Sequence, residues 1–353
     1  MTIKPKNKVK PQRVSLLIDS GAYSAWKLKK HIPLEDYCDF LEANLDWIDG
    51  YVNMDVIMPK DPETAAAAGY KNFLRMRKRG LESIPVFHAG ENIKWLRAYL
   101  DAGCKYIGIS ASSLPHSAGQ ADAWYDMVWN HLACADGFPP VKTHAFGEGR
   151  FHVLGNYPWF TADTASWIYA AQRGGKIRLP DSMKQVSFRL DAKSSATETD
   201  VMSLEGADKE EFEVLMRKHG ITWDAFKERV GRPAYTIRTY LTCLYYLEGE
   251  KRASARCPIR FQRDSLVSEH IPKTPSIHIP NSRLHLVLGG NASAQACFAV
   301  CGGKHALVSY EHIRSFAHYQ HLREFVNDPM GTCKTLPALR QYYDVLKGIT
   351  NVE

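Results

Sequence analysis

The sequence predicts an α/β protein. The expected architecture is a (β/α)8, TIM-like barrel, closed in permuted order by a C-terminal βαβ unit and carrying a helical insertion. Three observations lead to it. Six short apolar segments alternate with helical stretches over residues 14–175, and three of these segments carry an aspartate at their far end. Two further apolar segments, separated by a run of small residues, lie near the C-terminus. Repeated strand–helix alternation means a parallel sheet, and six units exceed what most open sheets need before closing. In a parallel barrel the C-terminal strand ends converge on one rim, where the active site forms.

Each element has its own reason. LLIDSGAY (16–23) is an apolar strand running into Asp19 and small residues. Over 33–48, Leu34, Tyr37, Leu41, Leu45 and Ile48 recur at helical spacing. YVNMDVIM (51–58) reads as a strand carrying Asp55. The next helix, 61–80, has Asp61 as cap, Pro62 at its first position, Arg75 to Arg79 in its last turn and Gly80 as its stop. IPVFHAG (84–90) leads to a helix with Trp95, Leu96, Tyr99 and Leu100 that Gly103 ends. YIGIS (106–110) leads to one with Trp124, Met127, Val128 and Leu132. VKTHAFGEG (141–149) and WFTADTASW (159–167) complete the six.

A barrel of eight lacks two strands, which LHLVLGG (284–290) and HALVSY (305–310) supply. NASAQACFAV (291–300) is a helix between them, and a helix with Ile313, Phe316 and Phe325 follows. The expected organisation is a flexible basic arm at 1–13, the first six βα units at 14–175, an inserted, mainly helical nucleic-acid-binding segment at 176–280, and the closing βαβ with terminal helices at 281–353. The insertion opens polar and turn-rich over 176–205. It turns helical at Phe212, Leu215 and Met216 and again around 235–250, with an HGIT turn (219–222) between helices.

Composition restricts function. A chain of 353 residues, 45% of them hydrophobic, can bury one large core or two ordinary ones. No apolar run spans a bilayer and the Lys-rich N-terminus has no hydrophobic signal core, so a cytoplasmic protein with no membrane partner is expected. The eight scattered cysteines, with no C-x-x-C pair, fit reduced thiols. The net charge of +7 is concentrated in Lys4, Lys6, Lys8, Lys10 and Arg13, and in Lys251, Arg252, Arg256, Arg260 and Arg263, leaving the remainder slightly acidic. Such clusters suit phosphate-backbone contacts; a solvated tail is the plainer reading.

In order along the chain, DSGAY, NMD, VFHAG, YIGIS, THAFGEG and ADTASW resemble the queuine and archaeosine tRNA-guanine transglycosylases. That family has an Asp-Ser-Gly-Gly-Phe motif, an Asp-bearing strand, a Gln-Gly-Gly strand, a Gly-Gly-Leu strand, a Met-Gly-Val-Gly strand and an Asp-bearing last strand. The resemblance covers about residues 14–170 and is closest to the phage and bacterial DpdA-type enzymes, which replace guanine in DNA with a 7-deazaguanine. It implies Asp163 as the nucleophile at the anomeric carbon and Asp19 as the acid/base. It implies Asp55 as the reader of the purine's Watson–Crick edge, with His88 standing where the family has a base-binding Gln. Gly108, Ser110 and Phe146 match backbone and apolar contacts to the ring, and Ser20 and Gly21 belong to the loop beside Asp19.

Departures from the family narrow the substrate. The tRNA enzymes carry a zinc site after the last strand, and nothing after Asp163 matches its spacing. Cys297, Cys301 and His305 have helical spacing and are read as packed small residues, so no metal and no cofactor is expected. No appended RNA-binding domain is recognisable. Both departures favour DNA over tRNA, with a free 7-deazaguanine as second substrate, a homodimer as a possible assembly, and the host cytoplasm as location where a phage carries the gene. In the family two strands precede the Asp-Ser-Gly strand; here a dozen basic residues do, which agrees with permuted closure.

The residue types fit this chemistry. One carboxylate traps the sugar as a covalent glycosyl-enzyme, and a second protonates the leaving guanine and then deprotonates the incoming base. The target base must leave its stack to reach such a pocket. Other readings remain: each Asp as a helix cap, and His88 and His144 as hydrogen-bonded rim histidines. A tRNA enzyme, a metal-dependent hydrolase (which the missing H-x-H pair disfavours) and a non-catalytic nucleic-acid-binding subunit also stand beside it.

Overall fold

The computed structural model describes residues 15–58, 60–112, 114, 118–167, 176–187, 201–224, 232–255, 260–262, 285–289, 305–310 and 327. Its elements run β1 (Ser15–Asp19), α1 (Ala22–Lys27), α2 (Leu34–Glu42), β2 (Gly50–Tyr51), α3 (Pro62–Lys78), β3 (Val86–His88), α4 (Ile93–Asp101), β4 (Tyr106–Ser110), α5 (Ala118–Leu132), β5 (Lys142–Phe146), α6 (Phe151–Asn156) and β6 (Thr161–Thr164). There follow β7 (Lys176–Arg178), β8 (Gln185–Ser187), α7 (Gly206–Lys218), α8 (Arg232–Ala255), β9 (His285–Gly289) and β10 (His305–Ser309). The expected helices at 291–300 and after 310, with Cys297 and Cys301, lie outside the described residues.

Eight strands form one sheet in the order β2-β1-β10-β9-β6-β5-β4-β3, and every pairing in it is parallel. The two C-terminal strands thus lie between β6 and β1. The strands at the two ends of that order also approach each other: Val52, just after β2, makes a parallel bridge to Ile84, just before β3. Helices follow β1 to β5, as crossover connections between parallel strands require. The fold is therefore α/β with a parallel sheet.

Local chemistry sets the element ends. Asp61 caps α3 by accepting a hydrogen bond from the Thr64 backbone N–H at 3.1 Å, with Pro62 behind it, an arrangement that stabilises the helix by about 1 kcal/mol. Asn92 caps α4 through Lys94 N–H at 3.0 Å. The helix expected over 33–48 stops at Glu42 instead. The Asn44 amide donates to the Phe40 carbonyl at 2.6 Å and accepts from the Trp47 indole at 3.0 Å, so the chain closes a side-chain turn there and leaves Leu45 46% exposed. The strand expected over 51–58 is likewise short. After Val52, the Asn53 amide donates to the Gly69 carbonyl at 3.0 Å, and Asn72 of α3 donates to the Met54 carbonyl at 2.8 Å. These side chains replace the ladder, and Asp55 sits in a loop braced on α3 rather than at a strand end.

One hydrophobic cluster joins β3 to β6 and their helices to the hairpin β7–β8, α7 and α8, with Trp129, Trp167, Phe212, Leu241 and Tyr246 fully buried within it. Each such aromatic contributes about 2–3 kcal/mol of burial. The region read from sequence as polar and turn-rich contains the antiparallel hairpin β7–β8, and α8 packs on α6 where the Phe151 ring meets Tyr245 and Tyr246. A second cluster, with Leu16, Ile18, Tyr37 and Leu41, lies under β1 and α2. Among the described residues, no helix is long and apolar enough to cross a membrane.

Candidate active site

The sheet order sets the predicted residues side by side. Asp19 ends β1, Asp163 lies in β6, and between them stand only β10 and β9, where Asp19 pairs with Ser309 and Asp163 with Val287. On the other side, His88, Ser110 and Phe146 are register partners across β3, β4 and β5. Asp55 joins them from its loop: its Oδ2 is 2.9 Å from His88 Nε2, and its Oδ1 accepts the Ser20 hydroxyl at 3.2 Å. Asp19, Asp55, Asp163, His88 and Ser20 are thereby brought together from positions far apart in the chain.

Asp19 lies beside two other acids. Burial first, then the charges of Asp55 and Asp163, push its pKa from 3.8 up to about 7, against hydrogen bonds from the Gly21 and Ser20 backbone N–H groups. Those N–H groups turn toward Asp19 because Gly21 adopts φ +79°, a left-handed conformation costly to any residue with a Cβ. Ser20 is fully buried and its hydroxyl also accepts from Ala22 N–H at 3.3 Å. A carboxyl near neutrality can both give and take a proton at physiological pH.

Asp163 is only 8% exposed. Its Oδ1 accepts the Gly147 N–H at 2.8 Å and lies 3.1 Å from His144 Nε2. One oxygen is fixed, and Oδ2 has no hydrogen-bond partner among the described residues.

Around these acids lie groups that tune them. Burial opposes charge on His88, but the hydrogen bond and charge of Asp55, with Glu91 nearby, lift its pKa above the ordinary histidine value. Glu91, whose Oε2 accepts the His88 N–H at 3.2 Å, is raised to about 7 by burial, with Asp55 and Glu63 adding and His88 opposing. Gly108 has no Cβ because the Phe146 ring occupies that space; a Cβ there would stand 2.3 Å from the ring. Ser110 Oγ bonds Ser112 Oγ at 2.9 Å.

A cleft of about 680 Å³ is lined by Tyr23, Ser112, Phe146, Gly147, Arg150 and Tyr245 among others. Asp19, Asp55, His88 and Asp163 are not in its lining, and Gly147, whose N–H bonds Asp163, connects it to them. That volume suits a nucleoside-sized guest. Arg150 is clamped at its edge by Glu148, itself 5% exposed, through Nε–Oε1 at 3.0 Å and Nη2–Oε2 at 2.7 Å. Tyr23, Glu91, Glu148 and Arg150 were not singled out from sequence, although Tyr23 and Glu148 lie within motifs that were, and Glu91 and Arg150 directly follow one.

The basic residues are placed unevenly. Lys4, Lys6, Lys8, Lys10, Arg13, Arg256 and Arg263 lie outside the described residues. Lys251 and Arg252, exposed on the last turn of α8, pair with Glu248 at 3.7 and 2.8 Å. Exposed Arg260 lies over the Phe138 ring. No protein-family model and no curated protein sequence matches the chain.

Proposed function

We propose that the protein is a base-exchanging transglycosylase that replaces guanine in DNA with a 7-deazaguanine, such as 7-cyano-7-deazaguanine, by double displacement at the anomeric carbon. The single observation that carries this reading is the unlike pair of carboxyl groups. Asp19 is held near neutrality, while Asp163 has one oxygen fixed and the other without a hydrogen-bond partner among the described residues. Two carboxyl groups whose environments separate their roles are what a retaining displacement needs.

In the first step Asp163 Oδ2 attacks C1′ and the base leaves, taking a proton from Asp19. In the second, Asp19 accepts the proton of the incoming base, whose nitrogen displaces Asp163. Asp55 and His88 form a rigid polar edge against which a guanine-like Watson–Crick face can be read, since both Asp55 oxygens retain lone pairs. Tyr23 and Phe146 are aromatic residues of the cleft lining, which suits an extruded base. The parallel bridge from Val52 to Ile84 supports closure of the sheet into a (β/α)8 barrel, with β9 and β10 as the permuted pair. The order of motifs along residues 14–170 supports kinship with the tRNA-guanine transglycosylase superfamily and its DNA branch.

The test is mass spectrometry of nucleosides from DNA and from tRNA after co-expression with a source of deazapurines. The deazaguanine nucleoside is expected in DNA. Its confinement to tRNA overturns the DNA assignment, and its absence from both overturns the transferase reading.

A further inference from the structure

We propose that His144 is the positioning residue of the nucleophile, choosing which oxygen of Asp163 reacts and governing how fast the covalent intermediate breaks down. This rests on the transglycosylase reading and adds to it a residue and a rate. Although in sequence His144 reads as a rim histidine, it is fully buried, with its ring edge against Phe146 at a centroid distance of 4.2 Å.

Its two nitrogens occupy different ends of one hydrogen-bonded line. Nδ1 is 2.6 Å from Thr161 Oγ1, its register partner's side chain, and Nε2 is 3.1 Å from Asp163 Oδ1. Thr161 Oγ1 is in turn bonded to the Tyr106 hydroxyl. With the imidazole neutral, the protons close in one direction. Asp163 as a carboxylate can only accept, so Nε2 carries the proton and donates. Nδ1 then accepts from the Thr161 hydroxyl, and Thr161 accepts from Tyr106. The line is anchored in the sheet at both ends, because Tyr106 belongs to β4 and Asp163 to β6. With the Gly147 N–H it places two donors on Oδ1, which leaves Oδ2 to react.

The consequence is asymmetric between the two steps. In the first, an Oδ2 electron pair forms the bond to C1′, and the pair of the C1′–N9 bond departs with guanine, which gains the Asp19 proton. Oδ1 is now an ester carbonyl oxygen. In the second, N9 of the incoming base, its proton passed to Asp19, supplies the pair for the new C1′–N9 bond, and the C1′–Oδ2 pair returns to Asp163. Negative charge then grows on the carboxyl group, and donors already aimed at Oδ1 stabilise it without reorganisation. Loss of the His144 donor therefore makes Asp163 a poorer leaving group.

The experiment compares wild type, His144→Phe, His144→Gln, Thr161→Val and Asp163→Asn. It uses an end-labelled oligodeoxynucleotide, guanine-release bursts, denaturing gels for the adduct, and thermal melts for folding. His144→Phe is expected to form the adduct but turn over about 10- to 100-fold more slowly, as loss of a hydrogen bond to a charged group implies, with KM for the oligonucleotide little changed. The adduct then accumulates. His144→Gln, whose amide reaches the Nε2 position, restores much of the rate, and Thr161→Val shows a smaller loss in the same direction. Turnover by folded His144→Phe within about threefold of wild type overturns the proposal. So does an equal loss of both steps, and, should His144→Phe not fold, a wild-type adduct lifetime in Thr161→Val. Exchange by Asp163→Asn instead overturns the underlying function.

Discussion

Asp19→Asn separates stability from activity at one position. In the folded chain the Asp19 pKa rises from 3.8 to about 7, chiefly through burial and then through Asp55 and Asp163. The folded state therefore holds this proton more tightly than the unfolded state. The stability it contributes is fully present below pH 3.8, declines as pH rises toward 7, and is lost above it. At 1.36 kcal/mol per pH unit the ceiling is about 4 kcal/mol. Asp19 is partly accessible and water screens its neighbours, so about 2 kcal/mol is the working figure. Asparagine keeps the shape and removes the titration, and also relieves Asp55 and Asp163 of a neighbouring charge. Urea unfolding of both proteins at about pH 4.5 and about pH 8.5 should show the variant gaining roughly 2 kcal/mol relative to wild type at the higher pH. Glu91 and His88 also titrate, but they are common to both proteins and cancel in the difference. The same variant should lose base exchange. In wild type, single-turnover guanine release should fall as pH rises through about 7, because the first step needs protonated Asp19. Parallel stability curves for the two proteins would refute the burial argument, and a release rate flat through neutrality would refute the proton donor.

Three further outcomes are expected. Asp163→Asn should fold and bind DNA yet lose adduct and exchange by at least about a thousandfold, measured as labelled guanine incorporation. Asp55→Ala should lower discrimination for guanine-like over adenine-like bases by about 10- to 100-fold in competition assays, because it unpairs His88 and removes the acceptor for the base edge. Removing residues 1–13 should weaken DNA binding for all sequences alike and lower the slope of log affinity against log salt by up to about 3 to 4, with exchange at saturating DNA little changed.

The elements legible in the sequence were those whose ends are written locally. Asp61 with Pro62, and Asn92, are cap signals that the structure uses as such. Gly80 and Gly103, both at positive φ, end the helices they follow. Where a side chain took over a backbone partner, periodicity misled. Asn44 ends α2 six residues before the apolar repeat does, and Asn53 and Asn72 claim the carbonyls of Gly69 and Met54, so a β-rich run becomes the loop that holds Asp55. Hydrophobic spacing is blind to such competition, because Asn carries no apolar signal to weigh.

The same division runs through the site. Asp19 and Asp163 stand out because an acid breaks an apolar strand, a local event. What gives them different chemistry is not local. Asp55 acts on Asp19 and His88 from a loop 33 residues before His88. Thr161 reaches His144 across 17 residues only because β5 and β6 pair in that register. A shift of one residue in that register would turn the Thr161 hydroxyl to the opposite face of the sheet and leave Nδ1 without its donor. The imidazole would then be free to flip, and Oδ1 of Asp163 would keep only the Gly147 N–H of its two donors. Reactivity at Asp163 is therefore a property of strand pairing as much as of the aspartate, which is why a motif alone names the acid but not its role.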